Sequence, residues 1–210
     1  MTSGSDFETN SGWAVEFHTG SAQKLHDTEP DFSRRLVRVN EISAPALVLG
    51  STQSNDLIDH RAAAAAGVEI AQRRSGGGVV SMRPGSQCWV DVFIPATDSL
   101  WVDDVMLSSS WLGRCWADVA TTYGWTAPKV HAGGVSNRRL SRLVCFAALG
   151  PGEVSQNSKK LVGISQRRTR HGAKFQCIAY IEWDPSLILD LLQLGSDLEE
   201  LNQVLVGEVA

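Results

Sequence analysis

The sequence predicts an α+β fold, a mixed, largely antiparallel sheet flanked by helices. Three observations predict it. Short apolar, β-rich runs recur along the chain and end at turn residues, as at 46–50 and 88–94. Helical patterns are few and mostly short. The strands fall into hairpin-like pairs and not into a regular βαβ repeat, which argues against a parallel sheet.

In chain order, residues 1–10 read as a polar tail and 13–17 as a short edge strand. A helix is expected at 21–27, with Ser21 as its cap. Alternation at 36–39 and the apolar run 46–50 predict two strands. Five consecutive alanines favour a helix over 56–66, and Gly67 stops it. A strand at 68–71 leads to Arg73-Arg74-Ser75-Gly76-Gly77-Gly78, after which Val79-Val80 continues extended. Arg83-Pro84-Gly85 is a turn. The run 88–94 is a strand and 103–123 the longest helix, closed by Gly124. Residues 126–142 read as loop with one short strand, and 143–149 as a buried strand. Segments 153–155 and 160–165 bracket Gln156-Asn157-Ser158 as a hairpin, in which Lys159 and Lys160 point to opposite faces. A strand at 175–182, a helix from Pro185 to Leu194 and a short terminal helix complete the chain. With no internal repeat and no evident linker, 1–210 is expected to form a single domain.

Composition narrows the function. A net charge of −4 excludes a surface built as a whole to attract nucleic acid or an anionic membrane. No apolar run approaches the roughly 18 residues of a membrane span, and the first residues lack a secretory pattern. The chain is therefore expected to be cytoplasmic, with reduced thiols. Cys88, Cys115, Cys145 and Cys177 are scattered, with no CxxC pair of the kind that holds zinc.

Two stretches carry candidate chemistry. The first, 72–80, follows two arginines with three glycines. It is neither a P-loop nor a dinucleotide fingerprint, since no Gly-Lys-Ser/Thr follows and the GxGxxG spacing is absent. An arginine fork suits carboxylate or phosphate, and glycine amides can cradle phosphate oxygens. A tight turn beside a surface ion pair fits the same residues. The second stretch, 158–168, places Lys160 at the start of a half-buried strand. There its ammonium can meet a phosphate or a reacting carboxylate, or simply remain solvated. Cys145 is either a small buried hydrophobe or, if exposed and acidified, an acyl nucleophile. His171 is a loop histidine that can touch a substrate or stay solvated.

Together the stretches resemble the lipoate-protein ligase A family. Arg73-Arg74-Ser75-Gly76-Gly77-Gly78-Val79-Val80 with Pro84-Gly85 and a Trp-Val-Asp-Val strand is similar to that family's substrate loop. Lys160 through Gly163 to Gln166-Arg167 is similar to its Lys-x-x-Gly-x-x-Gln-Arg run, and Cys145-Phe146 lies upstream at a fitting separation. The resemblance is strongest over 45–192. It implies a single biotin/lipoate ligase catalytic domain, related to class II aminoacyl-tRNA synthetases, without the C-terminal accessory domain of two-domain members.

The resemblance further implies that lipoate is activated with ATP and Mg2+ and passed to a lysine of an acceptor. That acceptor would be a lipoyl domain or a glycine-cleavage H protein; the missing domain implies either a compact ligase, a separate accessory chain needed for adenylation, or activity that has drifted. By the same resemblance Lys160 is the catalytic residue. Arg73, Arg74, Ser75, Gly76, Gly77, Gly78, Lys160, Gly163 and Ser165 would bind the acyl substrate. Gly77, Gly78, Val79, Val80 and Lys160 would bind the nucleotide. Ser81-Met82 replace a family histidine. Gly152-Glu153 stand where the family has Asn-Asp, which makes Glu153 the candidate Mg2+ ligand. Two alternatives accompany this reading: an octanoyltransferase with Cys145 as nucleophile, and a non-catalytic member that binds an acyl ligand.

Overall fold

The computed structural model describes residues 7–8 and 12–207. Eleven strands are β1 (Phe7–Glu8), β2 (Trp13–Gly20), β3 (Arg35–Ile42), β4 (Ala46–Leu49), β5 (Glu69–Gln72), β6 (Val80–Met82), β7 (Gln87–Pro95), β8 (Lys129–Val130), β9 (Val154–Gln156), β10 (Lys159–Arg168) and β11 (Gly172–Tyr180). Six helices are α1 (Ala22–Asp27), α2 (His60–Ala65), α3 (Ser110–Thr122), α4 (Arg138–Leu143), α5 (Ser186–Leu191) and α6 (Leu198–Gly207).

Eight strands form the large sheet in the order β1-β2-β3-β7-β11-β10-β9-β8, and β5-β4-β6 form a second, smaller one. Only β2–β3 and β4–β5 pair in parallel; the other pairs are antiparallel. The architecture is thus the mixed, largely antiparallel α+β fold that the sequence predicts.

The strands at the centre of the large sheet are buried on both faces, which explains their near-continuous apolar character. Side chains alternate between the faces. On β11, Phe175 and Cys177 join Leu112 of α3 and Val162 in one core, with Trp111 and Trp116 packed against it. Ile178, with Trp89 of β7, joins Val48, Val80 and Met82 of the small sheet in the other. The space between the two sheets is the second core, and polar side chains break into it at one place.

Several boundaries differ from expectation for physical reasons. Ser21 flanks α1 without a side-chain cap; the Glu69 carboxylate instead accepts from Ala22 N (2.9 Å) and Gln23 N (2.8 Å). A carboxylate distant in sequence satisfies free helix amides as well as a local hydroxyl does. The alanine helix is shorter than its composition suggests, because Asp59 caps it at Ala62 N and Gly67 ends it at φ +66°. Trp13–Gly20 lies between β1 and β3 and is not an edge. The tail expected over 1–10 falls outside the described residues except for Phe7–Glu8.

The apolar run 143–149 is no strand. Val144 makes one isolated bridge to Val79, and 145–147 form a single 3-10 turn packed between β10 and α6. Burial alone made it resemble a core strand, and short apolar runs do not reveal their conformation. The expected loop 126–142 contains β8 but also α4, capped by the Asn137 side chain. Gln156-Asn157-Ser158 is a tight hairpin as expected, with Asn157 and Ser158 at φ 51° and 66°.

Candidate active site

The glycine loop is a strap between the sheets. Arg73 leaves the end of β5 and turns inward, while Arg74 turns out to an exposed ion pair with Glu29 at 3.2 Å. Arg73 is 4% exposed. Its Nη2 donates to the carbonyls of Gly76 (3.0 Å) and Gly78 (2.9 Å), so it braces its own loop. Burial lowers its pKa, partly offset by Cys145, Glu153 and Tyr180. No carboxylate pairs with it among the hydrogen bonds and ion pairs of the described residues, and this leaves a buried cation facing the inter-sheet space.

The glycines serve close approach. A Cβ on Gly78 would lie 2.6 Å from Val144 N and 2.7 Å from Ser141 O, backbone atoms at the end of α4. Val79 N–H donates to Leu143 O and Cys145 N–H donates to Val79 O, both at 2.9 Å. The loop is thereby tied to the segment that carries Cys145. In this arrangement the Val79 amide is occupied by protein and Val80 is buried.

Lys160 and Lys159 diverge as expected: Lys160 is 3% exposed and Lys159 half-buried. The Lys160 ammonium meets Glu153 Oε2 at 2.6 Å, Cys145 O at 2.8 Å and Ala148 O at 3.0 Å. Cys145 Sγ is 3.8 Å away, and the Phe146 ring centroid is 4.9 Å away. Burial pulls the Lys160 pKa down, but Cys145 and Glu153 more than offset it, so the net shift is upward and the lysine is held charged. Gly163 leaves room for this stem; a Cβ there would meet Phe146 at 3.1 Å and Lys160 Cε at 3.3 Å.

Glu153 does not fit the role of Mg2+ ligand in this arrangement. Its Oε2 accepts from Gly150 N (2.6 Å) as well as Lys160, and its Oε1 accepts from Ile164 N (3.0 Å). A divalent cation there would face a lysine ammonium. Among the described residues no group of three or more His, Cys, Asp or Glu is placed to hold a metal ion. Glu153 is instead the counter-charge of Lys160.

Around these groups lies an inner pocket of about 30 Å³, nearly closed in this conformation. Val48, Val80, Met82, Trp89 and Ile178 give it apolar walls. Arg73, Cys145, Gly163, Ser165, Gln176 and His26 complete its lining. His26 and Gln176 also line an outer cleft of about 550 Å³, together with Arg74, Arg167, His171 and Lys174. Lys160 itself borders a third cleft of about 650 Å³ with Ser136, Asn137 and Ser155, and Phe146 is common to it and the inner pocket. Lys160 thus lines the third cleft, while Cys145 and Phe146, which lie against its ammonium, line the inner pocket.

The structure thus brings together Arg73, Ser75, Gly163, Ser165, Cys145 and Lys160, which span just over ninety positions of the sequence. It leaves Arg74, Gly76 and Gly77 exposed. Sequence reasoning missed a buried polar network beside them. Asp91 accepts from Trp89 Nε1 (2.9 Å) and Gln176 Nε2 (3.3 Å) and pairs with Lys174 (2.9 Å). Gln176 Oε1 accepts from Ser75 Oγ at 3.0 Å, and Ser75 Oγ meets Ser165 Oγ at 3.0 Å. One signal was available: Asp91 and Gln176 interrupt otherwise apolar strands, and inward polar groups require partners.

Of the remaining cysteines, Cys115 is exposed and burial settles the other two. Cys177 is buried, and burial raises its pKa far above the ordinary thiol range; burial likewise raises Cys88. No described helix is long and apolar enough to cross a membrane.

Residues 21–205 match the lipoyl protein ligase A/B catalytic domain. No curated protein sequence matches the chain significantly. Among solved structures, a putative lipoate protein ligase from T. acidophilum with bound lipoic acid superposes with a TM-score of 0.62 at 12% identity, over 87% of this chain and 74% of that one. A lipoate-protein ligase A bound with ATP gives 0.63 at 15% identity, covering 85% and 63%. The bipartite lipoate protein ligase of Thermoplasma acidophilum, described with its E2 lipoyl domain, gives 0.63 at 12% identity, covering 89% and 65%. At these identities the likeness is one of fold, and this chain spans a little under two thirds of the last two.

Proposed function

We propose that this chain, which belongs to the lipoyl protein ligase A/B catalytic-domain family, seats a medium-chain acyl group in the inner pocket and transfers it to a lysine of an acceptor protein. The observation that carries this reading is the charged, buried Lys160, whose ammonium lies against Cys145 and Phe146 of the inner pocket's lining. Apolar walls suit an acyl chain, and a fixed ammonium suits its carboxyl end.

The leading form of the reading is a lipoate-protein ligase. A lipoate carboxylate oxygen attacks the α-phosphorus of ATP, and the bond to pyrophosphate breaks. The amine of an acceptor lysine then attacks the acyl carbon, AMP leaves with the bonding pair, and the amine loses a proton. Lys160 and Arg73 supply the fixed positive charge near the carboxyl end. Mg2+ would neutralise phosphate charge, but we assign it no ligand in this chain. Support comes from the fold shared with lipoate-bound and ATP-bound proteins. The bipartite relative motivates a lipoyl domain or a glycine-cleavage H protein as acceptor, and an accessory chain as partner.

One observation favours a second reading. Cys145 lines the inner pocket, with its Sγ 3.8 Å from the Lys160 ammonium. An octanoyltransferase would use the Cys145 sulfur to take octanoyl from a carrier thioester, the thiol proton passing to the released carrier thiol, before passing the acyl group to the acceptor lysine.

Protein incubated with lipoate, Mg-ATP and a lipoyl domain, with and without an accessory chain, should release pyrophosphate and form lipoyl-AMP. Lys160→Ala should abolish this, and so should the Lys160→Met/Glu153→Gln double variant, which leaves no buried carboxylate unpaired. Cys145→Ser should leave ATP-dependent transfer unchanged. An octanoyl thioester that forms on wild type and is lost in Cys145→Ser establishes the second reading. Absence of both acyl forms removes both and leaves acyl binding without catalysis.

A further inference from the structure

His26 lies on α1, 8% exposed, with its ring 4.4 Å from the Trp89 ring centroid. Its protonation follows from its neighbours. Gln176 Nε2 faces the Asp91 carboxylate, which only accepts, and Gln176 Oε1 receives the Ser75 hydroxyl. The amide orientation is therefore fixed, and Gln176 Nε2 donates to His26 Nδ1 at 3.1 Å. With Nδ1 an acceptor, the neutral ring carries its proton on Nε2. Burial, reinforced by Lys174 and Arg73, lowers the His26 pKa to about 3, so the ring stays neutral.

His26 Nε2 is buried and makes no hydrogen bond. An N–H donor left unpaired in a core is costly and rare unless something arrives to accept from it. The same ring lines both the inner pocket and the outer cleft. Ser165 and Gln176 line the same pocket, and Lys160 does not. Along β10, Ser165 lies two residues beyond Gly163, where the Lys160 stem passes, roughly 7 Å at about 3.3 Å per residue.

We propose that the His26 Nε2–H is a donor in the wall of the inner pocket and selects acyl groups that carry a hydrogen-bond acceptor, a ring sulfur or an oxygen, away from the carboxyl group. The inference rests on the acyl-pocket reading above and adds the chemistry of the group that reaches this ring. A plain alkyl chain buries the same walls but leaves Nε2–H without a partner. A dithiolane sulfur or a terminal hydroxyl satisfies it. Met82, a flexible thioether in the wall, gives the nearly closed pocket a means of opening around such a group.

The test compares lipoate, octanoate and 8-hydroxyoctanoate by calorimetric binding to wild type, His26→Phe and His26→Gln. Wild type should prefer lipoate and 8-hydroxyoctanoate over octanoate by about threefold to tenfold, the yield of one neutral hydrogen bond. His26→Phe should remove the preference, and His26→Gln, which keeps a donor, should retain part of it. On wild type alone, the His26 Nε2–H proton resonance should move downfield with the two acceptor-bearing acids and not with octanoate. That measurement stands even if a variant fails to fold. Equal affinities in wild type, a preference that persists in His26→Phe, or a resonance indifferent to all three overturns the inference and leaves the acyl-pocket reading intact. If none of the three acids binds, the acyl-pocket reading falls, and this inference falls with it.

Discussion

At the scale of single residues, the site is organised by charges that protein has already partly answered. Lys160 has Glu153 at 2.6 Å, while Arg73 has backbone carbonyls alone among its hydrogen-bond partners. The centre therefore retains one positive charge for an incoming carboxylate. His26 offers the opposite case, a base kept neutral. Its pKa is lowered from 6.5 to about 3, chiefly by burial and then by Lys174 and Arg73. Between those values the unfolded chain binds the proton and the folded chain does not. The stability contributed is full above about pH 6.5 and is lost progressively as pH falls toward 3. Urea unfolding across that range should show the loss, and His26→Phe should flatten its slope by up to about one proton. An unchanged slope would mean that the ring is not held neutral.

At the scale of elements, the glycine strap and the segment after α4 act as one unit. Paired backbone hydrogen bonds join Val79 to Leu143 and Cys145, and Gly78 allows the contact. Gly78→Ala should cost toward the upper end of about 1–3 kcal/mol, because backbone atoms 2.6 Å away cannot yield as a flexible side chain would. Gly76→Ala, which would meet nothing within 4 Å, should be close to neutral in the same denaturation measurement. Equal costs would show that the glycines serve flexibility and not close packing. The segment also explains why 143–149 misled a local reading. Val144 and Phe146 are buried like strand residues, but a turn of 3-10 helix buries them as well and delivers the Cys145 and Ala148 carbonyls to Lys160.

At the scale of the whole molecule, the site is assembled between two sheets and closed from behind by the C-terminal helix. Leu201 and Leu205 of α6 are fully buried, and Leu205 O accepts from Trp183 Nε1 at 2.7 Å. Trp183 in turn stacks on Phe146, the ring over Lys160, with centroids 5.6 Å apart. Leu205→Ala should lower unfolding stability by about 2–5 kcal/mol and weaken acyl binding in parallel. Lost stability with wild-type affinity would separate α6 from the site. The amino-acid sequence alone determined the sheet-rich α+β class, most strand positions, the opposite facing of Lys159 and Lys160 and the family resemblance, because period-two alternation, turn residues and motif spacing are local properties. Tertiary structure decided the rest: that Arg73 is buried and Arg74 is not, that Glu69 caps α1, that Glu153 answers Lys160, and that His26 reaches the acyl pocket. Each of these depends on which distant group occupies the low-dielectric space beside a side chain, and a buried charge or donor takes its role from that partner and not from its neighbours in sequence.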